Sequence, residues 1–288
     1  MTFTVKQASV IGSGTMGAGI AQACAAAGWE TRLTDASADA LTRAMAGIER
    51  TLDGGVRRGK VTPEAREATL ARLSTAPTIE GACDSADLVI EAVVEDAAVK
   101  RGVLARAAAA AGVDALLATN TSSLSVGGIA EGLPRPERFL GLHFFNPVHL
   151  MRLVEIVVHD GISDDARADA LSVVTTMGKE PIVVRDSPGF ASSRLGVVLG
   201  LEAMRMLEQG VASAADIDRA MELGYNHPMG PLRLTDLVGL DVRLKIAEHL
   251  HKTLRGDQYA PPDILRRLVS EGRLGRKTGH GFHDWTDA

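Results

Sequence analysis

The sequence predicts an α/β fold: a Rossmann-like doubly wound sheet followed by an all-α C-terminal domain. Two observations support this prediction. Over the first two thirds of the chain, short apolar runs alternate with helix-like stretches, which is typical of βαβ units around a largely parallel sheet. After Asp186, apolar residues recur at helical spacing instead. We therefore expect two domains, residues 1–186 and 187–288, with Ser187-Pro188-Gly189 breaking the chain at their boundary.

The predicted strands of the first domain are short, and helices lie between many of them. The strands are Ser9–Ile11, Thr31–Thr34, Leu88–Val93, Leu116–Ala118, Leu140–Phe144, Leu153–Val158 and Ile182–Val184. The helix-like stretches include Gly17–Ala27, Ala38–Arg58, Ala97–Ala111 and Asp164–Met177. In the second domain, the spacing predicts a long buried helix through Leu195–Leu207 and three more over Ala214–Leu223, Leu232–Leu254 and Asp263–Glu271.

Composition and charge limit the class of protein. With 288 residues, 45% of them hydrophobic, the chain can bury the core of one large or two modest domains. The formal net charge of −5 argues against a general attraction to nucleic acid or to an anionic membrane. No run reaches the roughly 18 apolar residues that a membrane span needs. The two cysteines, Cys24 and Cys83, imply no disulfide framework, and residues 1–12 lack a secretory signal pattern, so we expect a cytoplasmic protein.

The hexamer Gly12–Gly17 matches the dinucleotide-binding pattern G-x-G-x-x-G, with Thr15 and Met16 between its last two glycines. It follows an apolar strand and opens a helix, which is the context that the pattern requires. Gly12 permits a tight turn, Gly14 lets the backbone approach a pyrophosphate, and Gly17 lets the helix pack against the strand. The N–H groups at the start of the helix can then bind phosphates. The alternative is a purely structural glycine turn.

An acidic residue, Asp35, ends the second predicted strand, 18 residues after Gly17. Its carboxylate can accept hydrogen bonds from both hydroxyls of an adenosine ribose, and it would repel a 2′-phosphate. The glycine motif and this acid together predict NAD rather than NADP as the cofactor. The alternative for Asp35 is an acid that merely ends a strand.

One of the eight histidines has the context of a catalytic base. A nicotinamide dehydrogenase needs a group that takes the hydroxyl proton, and the ordinary pKa of histidine suits that task. His143 lies at the C-terminal end of a predicted strand, where ligands collect in open α/β sheets. Glu155 follows 12 residues later inside an apolar run, where a carboxylate is costly unless paired. A His143–Glu155 pair would remove that cost, although a satisfied structural histidine is the alternative. No spacing of histidines and cysteines predicts a metal site.

A hydroxyl-rich loop, Thr119–Ser125, follows another predicted strand. Such a loop can hydrogen-bond a substrate oxygen or the carboxamide of a nicotinamide. Capping of the next helix by Ser125 is the alternative, and both can hold at once.

Taken together, these motifs resemble the L-3-hydroxyacyl-CoA dehydrogenase family in its short, single-function form. Each string alone is weak, but their order and spacing are specific. The strings run from the glycine loop almost to the end of the sequence: Gly12–Gly17, Glu91–Asp96, Asn120–Leu124, His143–Val148, Leu153–Glu155, Asp186–Phe190, His227–Pro231 and Gly275–Gly279.

The resemblance implies NAD-dependent oxidation of a 3-hydroxyacyl-CoA thioester. It implies His143 as the base, Glu155 as its orienting partner and Ser122 as a hydrogen-bonding partner of the substrate oxygen. The residues that it places around the cofactor are Glu95, Lys100, Asn146 and Lys277. Those that it places at CoA oxygens and phosphates, on a helical arm after the second strand, are Thr51, Arg58 and Lys60. It also implies a helical C-terminal domain that closes the cleft and forms a homodimer.

One position departs from the family pattern. After Pro188-Gly189-Phe190, the family continues with two residues and then Asn-Arg-Leu, whereas this chain has Ser193 in place of the Asn. The resemblance thus implies a substrate contact at Ser193, but with a shorter side chain that offers a hydroxyl instead of an amide.

Two other classes of function remain open. The β-hydroxyacid dehydrogenases act on free acids through a lysine on the long helix after the sheet, but Phe190–Met206 contains neither lysine nor asparagine. A relative that oxidises a sugar acid, or a non-catalytic protein that binds NAD, is also conceivable. The presence of both His143 and Glu155 argues for an enzyme, and the acyl chain length stays undetermined.

Overall fold

The computed structural model describes residues 3–286 and divides the chain into two compact units between Ser187 and Pro188. We call residues 3–187 the sheet unit and residues 188–286 the helical unit. The predicted domain boundary lies one residue earlier, after Asp186.

Within the described residues, the sheet unit has one sheet of eight strands. They are β1 (Gln7–Ile11), β2 (Glu30–Thr34), β3 (Leu73–Ala76), β4 (Leu88–Glu91), β5 (Leu116–Thr119), β6 (Phe139–Phe144), β7 (Leu153–Val158) and β8 (Glu180–Arg185). The strand order is β3-β2-β1-β4-β5-β6-β7-β8, and all neighbours are parallel except the antiparallel pair β6–β7. The chain moves outward from β1 to β3 and then returns to place β4 on the other side of β1. This reversal creates the crevice where open α/β sheets bind nucleotides.

The helices of the sheet unit follow the strands as crossovers. They are α1 (Thr15–Ala26), α2 (Ala38–Arg57), α3 (Pro63–Ala71), α4 (Ile79–Cys83), α5 (Ala97–Ala110), α6 (Val126–Ala130) and α7 (Asp164–Thr176). Most begin at a Ser, Thr or Asp whose side chain accepts a backbone N–H of the first turn. Among them, Ser125 caps α6 by accepting from the Gly128 N–H at 3.0 Å, which confirms that prediction.

All seven predicted strands and the four predicted helices of this unit are present, but short elements were missed. The strand β3 and the helices α3, α4 and α6 lack a long hydrophobic pattern, and β3 lies at the sheet edge. The predicted strand Leu88–Val93 is too long, because β4 ends at Glu91. There the Glu91 carboxylate accepts the Val93 N–H at 2.6 Å and turns the backbone out of the sheet. Both cysteines are buried and free, and burial raises the pKa of each thiol to about 12.

The helical unit contains five α-helices in its described residues. They are α8 (Ser192–Glu208), α9 (Ala214–Gly224), α10 (Pro231–Val238), α11 (Leu240–Leu254) and α12 (Asp263–Ser270). The predicted single helix Leu232–Leu254 is wrong, because the chain breaks into α10 and α11 at Gly239, whose φ of 101° is not helical. Among residues 3–286, no helix combines the length and the apolar character that crossing a membrane requires.

Two buried aspartates anchor the C-terminal segment of the helical unit. Asp236 accepts the backbone N–H groups of Phe282 and His283, and also the indole N–H of Trp285 at 2.9 Å. Asp218 lies 2.8 Å from the Nε2 atom of His283. We call this group of residues the C-terminal clasp. It holds the segment that follows Lys277 against α9 and α10.

Candidate active site

The glycine loop between β1 and α1 can accept no side chain at two of its positions. Gly12 has a φ of 100°, and a Cβ atom built there would lie 2.6 Å from the carbonyl oxygen of Ala92. A Cβ atom at Gly17 would lie 1.8 Å from the carbonyl oxygen of Gly12. A Cβ atom at Gly14, by contrast, would meet nothing within 4 Å, so that side of the loop is open. These contacts agree with the turn predicted at Gly12 and the packing predicted at Gly17, whereas the approach of a pyrophosphate to Gly14 stays a prediction.

The first turn of α1 borders a cleft of about 1060 Å³. Gly14 caps α1 without a side-chain hydrogen bond, and no acidic residue lies in the first turn. The N–H groups at this end are therefore available to an anion, and the helix dipole favours negative charge there. Thr15, Met16 and Asp35 also line the cleft. A cleft with this size and this lining fits the nucleotide part of NAD.

Asp35 follows β2 and is held by the glycine loop. Its Oδ2 atom accepts the backbone N–H of Ser13 at 2.7 Å and the Ser13 hydroxyl at 2.8 Å, and its Oδ1 atom accepts the Ser37 N–H at 3.0 Å. Partial burial raises the pKa of this carboxyl, but the hydrogen bonds from Ser13 and Ser37 outweigh that effect and hold the pKa below its usual value. A carboxylate has about four acceptor positions, so the charged Asp35 retains acceptor capacity for ribose hydroxyls.

His143 and Glu155 lie directly opposite each other in the antiparallel pair β6–β7. The Nδ1 atom of His143 lies 2.7 Å from the Oε2 atom of Glu155. Glu155 is 0% exposed and His143 is 7% exposed, so the two groups satisfy each other in a site of low polarity. The carboxylate selects the tautomer that carries the proton on Nδ1, because only that tautomer donates to it. The neutral imidazole then presents Nε2 as its basic atom.

The loop after β5 is tied to the same strand end. The Oδ1 atom of Asn120 accepts the backbone N–H of Phe144 at 2.9 Å, next to His143 in the chain. Ser122 is exposed, and its backbone N–H donates to the Oε1 atom of Glu95 at 3.0 Å. Asn146 is exposed just beyond β6. The structure thus brings His143, Glu155 and the Ser122 loop to the same end of neighbouring strands.

A network of buried charges, which we call the Glu91 network, contacts this loop through hydrogen bonds. Lys100 is 0% exposed, and its ammonium lies 2.8 Å from Glu91 and 3.3 Å from Glu95. The other oxygen of Glu91 accepts the Thr119 hydroxyl at 2.7 Å. Glu95 in turn accepts the Thr121 hydroxyl at 2.5 Å. The network therefore links the start of α5 to the loop that carries Ser122.

The protonation state of Glu95 follows from these contacts. Burial raises the pKa of its carboxyl, but the Thr121 hydroxyl, the Lys100 charge and the Ser122 N–H together hold it below the usual value. Glu95 is thus a charged acceptor at the edge of the site. Lys100 has no exposed surface, so an influence on the cofactor passes through Glu95. Its role as a cofactor residue stays a prediction in that indirect form.

The sequence reasoning missed Glu91 as a site residue. Glu91 lies in the apolar run Leu88–Val93 and is 0% exposed. A carboxylate inside an apolar run is the same signal that singled out Glu155, and it needs a buried partner for the same reason.

The residues predicted to contact CoA lie on α2 and just beyond it. Thr51 is half-buried and its hydroxyl donates to the Gly47 carbonyl at 2.9 Å, whereas Arg58 and Lys60 are exposed. Burial lowers the pKa of the His149 imidazole, and the nearby positive charges of Arg58 and Lys179 lower it further. Arg58 and Lys179 therefore form a positive patch beside the uncharged imidazole of His149, a residue that the sequence reasoning did not assign to the site.

Two predicted site residues belong to the helical unit. Ser193 is half-buried in the first turn of α8. Lys277 pairs with Asp241 on α11 at 2.5 Å, and this contact holds the pKa of the Asp241 carboxyl below its usual value. The roles predicted for both residues stay predictions.

Sequence comparison decides the family. A profile described as the NAD binding domain of 3-hydroxyacyl-CoA dehydrogenase matches residues 7–187, and the profile of the corresponding C-terminal domain matches residues 189–285. The chain belongs to the 3-hydroxyacyl-CoA dehydrogenase family.

Individual family members match along the full chain. The 3-hydroxybutyryl-CoA dehydrogenase of Bradyrhizobium diazoefficiens is 42% identical, over 100% of this chain and 98% of that protein. The 3-hydroxyadipyl-CoA dehydrogenase of Escherichia coli is 42% identical, over 99% of this chain and 60% of that protein. The crystal structure of (S)-3-hydroxybutyryl-CoA dehydrogenase from Ralstonia eutropha superimposes with a TM-score of 0.93 at 37% identity, covering 98% of this chain and 99% of that one.

These similarities confirm the predicted family, the Rossmann-like fold with its helical second domain, and NAD as the cofactor. They also confirm that the protein is an NAD-dependent enzyme, which argues against the non-catalytic alternative.

Proposed function

We propose that this 3-hydroxyacyl-CoA dehydrogenase interconverts (S)-3-hydroxyacyl-CoA and 3-oxoacyl-CoA, with His143 as the general base and Glu155 as its orienting partner. The hydrogen bond of 2.7 Å between these two buried residues is the observation that supports the proposal most strongly. Bound NAD supplies the acceptor for the hydride that leaves C3 of the substrate.

In the oxidation, Nε2 of His143 takes the proton of the 3-hydroxyl while the oxygen electron pair forms the C3 carbonyl bond. The imidazolium that results is stabilised by the Glu155 carboxylate through Nδ1. In the reduction, the same imidazolium returns its proton to the substrate oxygen. Proton transfer of this kind contributes about 10²–10⁴ to the rate.

The proposal assigns Ser122 and Ser193 to the substrate oxygen. Glu95 and the Glu91 network hold the Ser122 loop, so the hydroxyl of Ser122 comes from a loop that is fixed before the substrate arrives. Preorganised donors of this kind stabilise charge that develops on the oxygen in the transition state. Asn146, Lys277 and, through Glu95, Lys100 are assigned to the cofactor.

For the CoA part of the substrate, the proposal assigns Thr51, Arg58 and Lys60. The exposed cations Arg58 and Lys60 can pair with phosphates, for which an arginine guanidinium offers a bidentate fork. The position of His149 near Arg58 adds a group that gains charge when a phosphate binds.

We also propose a homodimer. The helical unit exposes large apolar side chains, among which Leu223 is 76% exposed, Tyr225 75% and Leu195 71%. Association would remove such surface from water. Sedimentation at micromolar concentration should give twice the mass of 30.3 kDa, and a single 30.3 kDa species would contradict this part of the proposal. A cytoplasmic location stays a prediction of the sequence.

The substrate assignment is tested by following NADH oxidation with acetoacetyl-CoA and with free acetoacetate. The positive patch at Arg58 has a partner only in the thioester, so kcat/KM should be far higher for acetoacetyl-CoA. Equal or better turnover of the free acid, or of a panel of sugar acids, would favour the alternative class instead.

A further inference from the structure

Two serines contact Asp35 at the cleft, and their hydroxyl groups have different partners. Ser13 and Ser37 each donate a backbone N–H to the Asp35 carboxylate, at 2.7 Å and 3.0 Å. The Ser37 hydroxyl is engaged elsewhere, because it caps α2 by accepting the Ala40 N–H at 3.2 Å. The Ser13 hydroxyl lies 2.8 Å from the Oδ2 atom of Asp35. Of these two serines, Ser13 is the one that combines a hydroxyl contact to Asp35 with a place in the lining of the cleft.

The direction of the hydrogen bond between Ser13 and Asp35 is fixed by charge. Partial burial raises the pKa of Asp35, but the hydrogen bonds from Ser13 and Ser37 hold it below its usual value, so the carboxyl is ionised at neutral pH. An ionised carboxylate only accepts, and the Ser13 hydroxyl therefore donates its single proton to Oδ2. A hydroxyl oxygen also has two acceptor positions. Within residues 3–286, no N–H or O–H group donates to the Ser13 oxygen, so these positions are open to a donor on a ligand.

The acceptor positions of the Asp35 carboxylate, by contrast, are mostly filled. Two donors from Ser13 contact Oδ2, and the Ser37 N–H contacts Oδ1. A carboxylate has about four acceptor positions, so about one is left for a ligand. The adenosine ribose of NAD carries two hydroxyl groups. It therefore has one donor more than Asp35 accepts while all three of its protein hydrogen bonds are kept.

We propose that Ser13 is a second ribose-binding residue of the NAD site: its Oγ atom accepts one ribose hydroxyl while its own proton stays on Asp35, and Asp35 accepts the other. The inference rests on the assignment of Asp35 to the ribose. It divides between two residues a task for which the sequence indicated Asp35 alone. Ser13 is 7% exposed, so water competes little for its oxygen. The two residues together recognise an unsubstituted ribose diol, since a 2′-phosphate removes one of the two donors.

The experiment measures binding instead of catalysis. Fluorescence titration gives Kd for NADH and for two analogues that lack the 2′- or the 3′-hydroxyl of the adenosine ribose. Wild type should bind each analogue about 3- to 10-fold more weakly than NADH, the scale of one neutral hydrogen bond. Ser13→Ala removes the hydroxyl and keeps the backbone N–H on Asp35.

This variant should bind NADH about 3- to 10-fold more weakly than wild type. In Ser13→Ala, removal of one of the two ribose hydroxyls should then have little further effect, because its acceptor is gone. Removal of the other hydroxyl should keep its full effect, because Asp35 still accepts it. A change that only disturbs the loop weakens NADH and both analogues alike, so the comparison separates contact from support.

A matched control is Ser163→Ala, which removes a serine hydroxyl from another place in the sheet unit. The Ser163 hydroxyl caps α7 by accepting the Ala166 N–H at 3.1 Å. Loss of this cap should lower the urea midpoint, since capping hydroxyls stabilise helices. The control should bind NADH and both analogues as wild type does, because the glycine loop is untouched.

Three results would overturn the inference. If Ser13→Ala keeps the effects of both ribose hydroxyls, Ser13 does not contact the ribose. If it loses both effects, Ser13 acts only by orienting Asp35. If wild type binds both analogues as tightly as NADH, the assignment of Asp35 to the ribose fails as well. A failure of the proposed function at His143 is distinguishable from all three, because it gives an inactive enzyme that still binds NADH.

Discussion

Two buried cations, one in each unit, differ in what surrounds them. Lys100 in the sheet unit is 0% exposed and contacts two carboxylates, Glu91 and Glu95. Arg243 in the helical unit is 7% exposed, and within residues 3–286 no carboxylate compensates it. The first cation is part of a closed network that fixes the Ser122 loop. The second has a buried Nε atom that no acceptor among the described residues satisfies.

The difference indicates two ways of using a buried charge. A paired buried charge fixes the positions of the groups that contact it, because moving any one of them leaves the others uncompensated. A buried guanidinium without a carboxylate partner instead lowers stability, because no opposite charge offsets its desolvation. The sheet unit, with His143–Glu155 and the Glu91 network, contains the first kind. The helical unit contains the second kind at Arg243, and mutations can test whether the two kinds behave differently.

The largest effect should come from the pair that we assign to proton transfer. His143→Ala should lower kcat by about 10²–10⁴ and leave NADH binding intact, since the glycine loop is untouched. Glu155→Gln should also lower kcat, because an amide does not stabilise the imidazolium. Steady-state kinetics with acetoacetyl-CoA and NADH titration by fluorescence measure the two properties. Turnover near that of wild type in His143→Ala would show that the base lies elsewhere.

Removing the cation at each of the two sites should change the free energy of unfolding in opposite directions. Lys100→Met leaves Glu91 buried without its cation and should lower the free energy of unfolding by about 3–5 kcal/mol. Arg243→Met removes an uncompensated charge and should raise the free energy of unfolding, on the order of 1 kcal/mol. Urea unfolding of both variants at pH 7 measures the contrast.

A double variant sharpens this test. Glu91→Gln combined with Lys100→Met removes both charges, so it should be more stable than Lys100→Met alone. If Arg243→Met were destabilised as strongly as Lys100→Met, the guanidinium would be a structural element and the contrast between the two units would fail.

A smaller effect is expected at Asp35, whose charge is held by Ser13 and Ser37. Wild type should prefer NADH over NADPH by about 1–3 kcal/mol in kcat/KM, the scale of an unmatched charge or a lost hydrogen bond. Asp35→Ser should narrow that gap, because it removes the repulsion of a 2′-phosphate. Equal kcat/KM for NADH and NADPH in wild type would contradict the role assigned to Asp35.

Much of the fold followed from local pattern. The glycine loop, the seven predicted strands and the long helices each have an apolar run, a period or a breaker that is visible in the chain. The short strand β3 could not be predicted, because four residues at a sheet edge have no clear period and their pairing with β2 is a tertiary contact. The break at Gly239 was missed for the opposite reason, since apolar residues on both sides continue the same helical spacing.

Site residues could be predicted where a charged residue interrupts an apolar run. They could not be predicted where their surroundings are formed by residues from other parts of the chain. Glu155 was found because a carboxylate interrupts an apolar strand, and its register opposite His143 then follows from the antiparallel pairing of β6 and β7. The role of Lys100 was taken from the family resemblance, and its burial between Glu91 and Glu95 emerges only when β4, α5 and their loop are folded. Arg243 gave no signal, because an arginine on an amphipathic helix is ordinary in sequence.

The smallest effect should come from the C-terminal clasp, where His283 pairs with Asp218. This pair is less buried than the pair of Lys100 and Glu91. The hydrogen bond to Asp218 raises the pKa of the His283 imidazole above 6.5; burial opposes this, and the charges of Asp218 and Asp236 add to it. Because the folded state binds this proton more tightly, the stabilisation is complete below the unfolded-state pKa of about 6.5 and is lost as the pH rises through the higher folded-state pKa.

The substitution His283→Gln should therefore lower the free energy of unfolding on the order of 1 kcal/mol at pH 6 and by less at pH 8.5. Urea unfolding of wild type and variant at both pH values gives the difference. His280→Gln is the matched control, because His280 is exposed in the same segment and lies 3.6 Å from the exposed Asp284. It should have little effect at either pH. A loss at His283→Gln that is the same at pH 6 and pH 8.5 would mean that the neutral imidazole makes the contact, and that the clasp depends on a hydrogen bond and not on charge.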